Sequence, residues 1–165
     1  MQRKDREIVD VRRIENIIAK ARYMHLGLFD GEYPYVVPMH YGYTMKDGKL
    51  TFFVHCAGQG HKLDCMQNNN SVFVEIDCEE RLIAAQTPCR YGAEYESVMC
   101  RGKAMRIEDA KEKCEALRTL MKTQTGADHV IDEKMADKVT VIRIDVESYT
   151  AKTHAGERGR HGGEG

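Results

Sequence analysis

The sequence lacks the features that assign a chain to a membrane, to secretion or to nucleic-acid binding. No apolar run approaches the roughly 20 residues that cross a bilayer. The charged stretch at residues 3–7 has no apolar core behind it, as a signal peptide would. A formal net charge of −1 provides no overall attraction to nucleic acid or to an anionic membrane. We therefore expect a cytoplasmic protein with no nucleic-acid partner and no membrane partner.

The cysteines lack the spacing of a metal site. They stand at positions 56, 65, 78, 89, 100 and 114, and no two of them are spaced as C-x-x-C. Structural zinc sites use such pairs, whereas scattered cysteines in apolar segments are typical of reduced thiols in the cytosol. We therefore predict no metal site. The sequence also shows no nucleophile with its general base, so it does not indicate covalent catalysis.

Apolar and polar residues alternate over much of the chain, which predicts strands. We predict strands at 24–29, 33–45, 50–55, 71–78, 95–107 and 139–146, and helices at 10–21 and 109–122. Pro34 and Pro38 each remove a ladder donor, so their strand should lie at an edge or carry a bulge. Asp47 and Gly48 indicate a hairpin turn, and Gly102 indicates a bulge within its strand.

Antiparallel strands joined by hairpins favour a mainly β fold, a small closed barrel with peripheral helices. At 165 residues the chain suits one domain, which we assign to residues 1–154. Residues 155–165 are charged and rich in glycine, so we expect a flexible tail there. His25 lies inside an apolar strand and is predicted to be a core or barrel-end residue.

Residues 50–70 combine an apolar strand, a basic loop and the start of a helix. His55 follows the strand, small residues come next, and His61 and Lys62 precede a short helix. Such a loop can hold a phosphate, because small residues expose backbone N–H groups and a helix N-terminus adds partial positive charge. The alternative is a surface loop that is basic by chance. The pattern alone favours this alternative, since the spacing matches neither a Walker loop nor a dinucleotide fingerprint.

Four stretches of the chain carry a family resemblance. They are L-G-L-F-D-G-E-Y-P-Y-V-V-P-M-H-Y-G-Y at 26–43, F-V-H-C-A-G-Q-G-H-K-L-D at 53–64, Y-E-S-V-M-C-R-G-K-A at 95–104 and V-I-R-I-D-V-E-S-Y-T-A-K at 141–152. In this order they resemble the flavin-binding split-barrel family related to pyridoxamine 5′-phosphate oxidase, and in particular its nitroimidazole-resistance branch. The resemblance implies a six-stranded antiparallel Greek-key barrel, a homodimer, and one FMN at each end of the dimer interface.

The resemblance also implies which residues contact the cofactor. Residues 38–41 resemble the strand that runs along the flavin ring, and residues 55–62 resemble the loop that holds the ribityl chain and the phosphate. Ser97 and Val98 resemble a pair near the ring or the facing subunit. The implied cofactor-binding residues are Pro38, Met39, His40, Tyr41, His55, Ala57, Gly60, His61, Lys62, Ser97 and Val98.

The implied function is electron transfer from NADH or NADPH through FMN to a small organic acceptor. In the nitroimidazole-resistance branch that acceptor is a nitroaromatic. His55 or Tyr41 is the candidate proton donor. Glu94 departs from the branch, where a positive charge is usual. Pyridoxamine-phosphate oxidase activity itself is not expected, since the basic C-terminal substrate motif of that enzyme is not visible.

Two other functions stay open at this point. The first is a split barrel that stores or senses FMN, haem or another cofactor without turnover. Haem would need an axial histidine, for which His55, His154 and His161 are the options. The second is a structural dimer with an empty site. The absorption spectrum separates these cases, because flavin and haem bands differ and a colourless protein that ignores FMN indicates the empty site.

Overall fold

The structure is a computed structural model that describes residues 4–154, apart from the side chains of Glu79 and Glu80. The strands are β1 (Glu7–Ile8), β2 (Tyr23–Phe29), β3 (Pro34–His40), β4 (Gly42–Lys46), β5 (Lys49–Cys56), β6 (Ser71–Ile83), β7 (Gly92–Arg106) and β8 (Thr140–His154). The helices are α1 (Val11–Lys20), α2 (His61–Asn68), α3 (Ala110–Thr125) and α4 (Glu133–Ala136), with 3-10 turns at Lys4–Arg6 and Pro88–Arg90. The tail expected at 155–165 lies outside the described residues.

The strands form one antiparallel sheet whose two edges meet. The order is β3-β2-β6-β7-β8-β5-β4, and β1 pairs with β8. The edge strands β3 and β4 are joined by Tyr41 alone, so the sheet has to curve until its edges come together. This confirms the mainly β class with peripheral helices. The strand count is eight rather than six, because the predicted strand at 33–45 divides at Tyr41 and β1 adds a short strand.

Side chains fill the interior of the barrel. Each strand points alternate residues inward, and the largest of the fully buried side chains are Tyr41, Phe52, Ile17, Ile18, Met24, Leu26, Leu50, Ile76, Ile142, Ile144, Val54 and Val74. Helix α1 contributes its isoleucines to this core, and Asp10 caps it by accepting a hydrogen bond from the Arg12 amide at 3.0 Å. The interior is therefore a packed core, and a cofactor has to bind on the outside.

Helix α3 lies outside the barrel, as predicted, and it lies on β4. Asp109 caps its start, and a left-handed Gly126 ends it. A Cβ atom added at Gly42 would collide with the backbone N and Cα of Leu120 in the middle of α3. Glycine at position 42 is therefore what lets the helix approach the sheet so closely. No helix within residues 4–154 is long and apolar enough to cross a membrane.

The predicted turn and edge features are confirmed. Asp47 and Gly48 both have positive φ, at 51° and 76°, as the hairpin between β4 and β5 requires. The prolines lie in β3, which is an edge strand. A register shift between Arg101 and Gly102 marks the bulge against β8. Strand β8 extends eight residues further than predicted, to His154, because polar residues after 146 resemble a strand end in the sequence.

Candidate functional site

Three basic side chains converge where β3 and β5 end and α2 begins. His40 is the last residue of β3, His55 is next to last in β5, and Lys62 is the second residue of α2. Partial burial lowers the pKa of His55, and the positive charges of His40 and Lys62 lower it further. His55 is therefore neutral at pH 7 and can donate or accept one hydrogen bond. We call His40, His55 and Lys62 the basic end.

The loop that leads into α2 leaves its backbone open. Ala57, Gly58 and Gly60 are exposed, and Cβ atoms added at the two glycines would meet nothing within 4 Å. Gly60 stands at the N-cap position with φ 139°, and no side chain from residues 4–154 caps the helix there. The first N–H groups of a helix have no partner within the helix. An anion could therefore reach these groups beside Lys62.

Lys62 holds its ammonium group against a weak acceptor. The Lys62 Nζ atom lies 3.1 Å from the Sδ atom of Met39, and both side chains are at least half-buried. Lys62 forms no ion pair with any carboxylate in the part of the chain that the structure describes. A thioether is a poor partner for a positive charge. A phosphate oxygen would be a much stronger one.

Two histidines, His40 of the basic end and the adjacent His61, are already held by protein groups. The His61 Nε2 atom lies 3.8 Å from an Asp30 carboxylate oxygen and 3.6 Å from Cys65 Sγ, and its ring meets Tyr35 edge-on. His61 can thus contribute its backbone N–H more readily than its side chain. His40 donates from Nδ1 to the Gln124 side-chain oxygen at 3.1 Å, which orients its ring.

The structure does not support Tyr41 as a proton donor. Its side chain is fully buried, and its hydroxyl donates to the backbone oxygen of Ile18 at 2.6 Å. Burial raises the pKa of this hydroxyl strongly. The ring also packs edge-on against Phe52. Tyr41 therefore belongs to the core, and His55 remains the candidate proton donor.

The outer surface of the sheet carries residues from β3, β2, β6 and β7. Pro38 faces His25 across the β2–β3 pair, and His25 faces Glu75 across the β2–β6 pair. His25 is therefore on the outer face and not in the core, because Met24 and Leu26 take the inward positions of β2. Beside this row, Gly27 lies between the exposed side chains of Val36 and Phe73.

Ser97 and Val98 point to opposite sides of β7. Val98 is fully buried in the core, whereas Ser97 lines an outer pocket of about 810 Å³. The other lining residues are Glu75, Asp77, Arg81, Leu82, Ala93, Glu94, Tyr95, Met99 and Lys152. Strand β7 is three strands from β3 in the sheet, on the order of 14 Å along its surface. The structure thus brings Met39, His40, His55 and Lys62 together and places Ser97 apart from them.

Three carboxylates line this pocket together with Arg81 and Lys152, and the family resemblance drew attention to only one of them, Glu94. Glu94 is buried and pairs with Arg81 at 2.8 Å. Glu75 and Asp77 are two residues apart on β6, so they share its outer face. We call Glu75, Asp77 and Glu94 the acidic face. The alternation of residues 71–78 places Glu75 and Asp77 on the same face of a strand. It does not show which strands lie beside β6, so it could not predict the pocket.

The histidines considered for haem lie in different places. The Nδ1 atom of His154 donates a hydrogen bond to the backbone oxygen of Ala93 at 2.7 Å. Its ring also packs against Tyr95. His161 lies outside the described residues. His55 is the one of the three that stands at the basic end.

Comparison with known proteins agrees with the family resemblance of the sequence. The profile of the pyridoxamine 5′-phosphate oxidase family matches residues 10–153. The crystal structure of a candidate 5-nitroimidazole antibiotic resistance protein from Bacteroides thetaiotaomicron VPI-5482 is 35% identical, with a TM-score of 0.77 over 89% of this chain and 86% of that one. A search of curated proteins finds no match.

More distant structures share the fold alone. The flavocytochrome Anf3 from Azotobacter vinelandii is 18% identical, with a TM-score of 0.74 over 91% of this chain and 70% of that one. A FAD- and haem-binding protein from Mycobacterium smegmatis is 13% identical, with a TM-score of 0.77 over 92% of this chain and 74% of that one.

Proposed function

Because the chain belongs to the pyridoxamine 5′-phosphate oxidase family, we propose that it is an FMN-dependent oxidoreductase. In this proposal it passes electrons from NADH or NADPH to a small organic acceptor such as a nitroaromatic. The similarity to the candidate nitroimidazole-resistance protein supports this class of acceptor. The observation that carries the proposal is the ammonium group of Lys62, which lies beside the open start of α2 and has a thioether as its close partner among residues 4–154.

The residues present fit an FMN phosphate. Lys62 would supply a charge-assisted hydrogen bond, and the backbone N–H groups after Gly60 would supply neutral ones. Ala57 adds little bulk beside them. The flavin ring would then extend along β3, past His40 and the exposed Pro38. The bound flavin would accept two electrons from the nicotinamide and pass them to the acceptor.

His55 is the residue to which we assign proton handling. It is neutral at pH 7, so it can give a hydrogen bond to a flavin or acceptor atom without adding charge. Gln124 fixes the neighbouring His40 and also donates to the backbone oxygen of Tyr41 at 2.7 Å. These contacts hold β3 and its histidine in place. The protein would thus orient the ring and exclude water around it, while the cofactor carries the redox chemistry.

We also propose a homodimer. The barrel interior is filled, so a flavin on the outer face would be covered on one side only. That face exposes several large apolar side chains, including Phe29 at 45%, Val36 at 57% and Phe73 at 41%. Contiguous apolar surface of this kind is typical of an interface. A second copy of the chain would cover it, and Ser97 could then face the partner's flavin. The six free cysteines suit a reducing cytoplasm.

The test begins with the absorption spectrum of the purified protein, with and without added FMN. We expect flavin bands that bleach when NADH or NADPH is added without oxygen, and that return when a nitroaromatic acceptor follows. Light scattering should give a dimer. Bound FMN that never bleaches would indicate a cofactor-binding protein without turnover, and a haem band would indicate the haem alternative. A colourless protein that ignores FMN would refute the proposal.

A further inference from the structure

Three side chains with metal-ligating atoms converge on the outer face, apart from the basic end. His25 on β2 and Glu75 on β6 are direct partners across the strand pair, and Asp77 follows two residues later on the same face. The His25 Nδ1 atom lies 3.1 Å from a Glu75 carboxylate oxygen and 3.8 Å from one of Asp77. All three ligand atoms lie within 4.8 Å of one another.

The charges in this cluster do not balance. The only ion pairs that Glu75 and Asp77 form within residues 4–154 are with His25, and neither pairs with lysine or arginine there. Two carboxylates thus share one imidazole as their partner. A divalent cation would neutralise both carboxylates at once.

From this geometry we propose that His25, Glu75 and Asp77 form a site for a divalent transition-metal ion, with Zn²⁺ or Mn²⁺ as the fitting class. Ligands about 2.1 Å from a tetrahedral zinc ion are about 3.4 Å apart. The observed separations bracket that distance, so small side-chain rotations would complete the site. One nitrogen and two oxygens suit these ions, whereas Mg²⁺ and Ca²⁺ prefer oxygen alone.

The site is held by a rigid frame and has an open side. His25 and Glu75 lie in strands that are paired on both sides at these positions, and Asp77 is paired with Ser97 of β7. The three side chains remain 30–40% exposed. Glu75 and Asp77 also line the outer pocket of about 810 Å³. The remaining coordination positions would therefore face the pocket, where water or an anionic ligand could occupy them.

The experiment is a titration of the metal-free full-length protein with Zn²⁺, followed by calorimetry, with Mn²⁺ binding followed by electron paramagnetic resonance. We expect one saturable site per chain. The double variant His25→Gln/Asp77→Asn should weaken Zn²⁺ binding at least about tenfold, since even indirect support of a metal ligand is worth that much. Glu147→Gln, which removes an exposed carboxylate on β8, is the matched control and should bind as wild type does.

Circular dichroism and thermal unfolding must first show that the variants are folded. Equal affinity in the wild type and the folded double variant would overturn the proposal, because the ion would then be bound elsewhere. Absence of saturable binding by the wild type would overturn it too. Substitution with Co²⁺ gives a further check. A thiolate-to-cobalt charge-transfer band would assign the ion to the cysteines, whereas its absence, with the loss in the double variant, supports the proposed ligands.

Discussion

The basic end and the acidic face lie on one small barrel and concentrate opposite charges. At the basic end, burial and neighbouring cations lower the pKa of His55. On the acidic face, burial and a neighbouring carboxylate raise the pKa of Glu75. In both places the environment disfavours the charged form. The two proposals made above assign a ligand of opposite charge to each region, and strongly shifted pKa values are typical of such sites.

The two regions also differ in how the fold supports them. Helix α3 reaches the basic end, where Gln124 contacts His40 and the backbone of Tyr41. The acidic face opens to a pocket of about 810 Å³ that is lined, among residues 4–154, by residues of β6, β7 and β8. Geometry at the basic end therefore depends on helix packing, whereas geometry on the acidic face depends on the strand ladder. Substitutions that disturb helix packing and substitutions that remove a charge should therefore affect the two regions differently.

The largest effect should come from Gly42→Ala, which breaks the packing under the basic end. The new methyl group would collide with the backbone of α3 at Leu120, and a helix backbone cannot rotate away as a side chain can. We expect a loss of about 3 kcal/mol in the free energy of unfolding. The matched change Gly27→Ala meets Phe73 at 3.4–3.5 Å and should cost less than about 1 kcal/mol. Urea unfolding of both variants measures the difference, and equal losses would contradict the packing argument.

Lys62→Ala should remove the charge that fits the cofactor phosphate. A charge-assisted hydrogen bond contributes roughly 1.5–3 kcal/mol, so FMN affinity should fall about tenfold to a hundredfold. Riboflavin lacks the phosphate and should bind as before. The control is Lys103→Ala, because Lys103 donates to the Ser71 hydroxyl at the start of β6; it should change neither affinity.

Fluorescence titration of the wild type and both variants with FMN and riboflavin gives the six affinities needed. Equal losses for the two flavins in Lys62→Ala would mean that Lys62 does not contact the phosphate. No loss for either flavin would return the loop at 58–62 to its other interpretation, a solvated turn that is basic by chance.

Tyr41→Phe should affect stability rather than chemistry. The variant leaves the backbone oxygen of Ile18 without its buried donor, which should lower the free energy of unfolding by about 1–2 kcal/mol. Tyr33→Phe, at an exposed position, should change it very little. Thermal unfolding and turnover are measured side by side. A folded Tyr41→Phe variant that binds FMN and has lost its turnover would restore Tyr41 as a proton donor.

The smallest effect, and the most direct comparison of the two regions, is the pH dependence of stability without flavin or metal. The pKa of His55 is lower than its usual 6.5 in the folded state, so the unfolded chain binds more protons just below that pH. The contribution of His55 to the free energy of unfolding is therefore lost as pH falls from about 6.5 through the pKa of the folded state. The pKa of Glu75 is raised above 4.5, so its contribution is lost as pH rises from 4.5 through the folded pKa.

Single substitutions separate the two slopes. The melting temperature is measured against pH for each variant. His55→Gln should reduce the fall in melting temperature as pH drops below 6.5, and Glu75→Gln should reduce the fall as pH rises above 4.5. If either variant kept the wild-type slope in its own range, the pKa shift of that residue would be absent from the folded state.

Local patterns predicted most of the fold, whereas the candidate site residues came from the family resemblance. Asp47-Gly48 identified a hairpin, and the alternation through residues 71–78 identified a strand, because both signals depend on residues next to each other. Tyr41 was misjudged for the opposite reason. Its hydroxyl is satisfied by Ile18, which lies 23 positions earlier, and no local pattern reports such a contact.

The acidic face shows the same limit more clearly. His25 and Glu75 become partners only through the pairing of β2 with β6, which skips three strands and a helix in the sequence. Spacing rules for metal ligands assume that the ligands are close along the chain. A site assembled from distant strands has no such spacing, and it becomes visible only when the register of the sheet is known.

The position of β8 has a consequence for synthesis on the ribosome. The pairs β2–β3, β4–β5 and β6–β7 can each form as soon as the two strands have emerged, since they are neighbours in the chain. Strand β8, which comes last among the described strands, pairs with both β5 and β7. Until it arrives, β5 and β7 present open edges, which are templates for aggregation. Completion of the barrel therefore waits for translation of residues 140–154, and a nascent chain stalled before them would need protection by a chaperone.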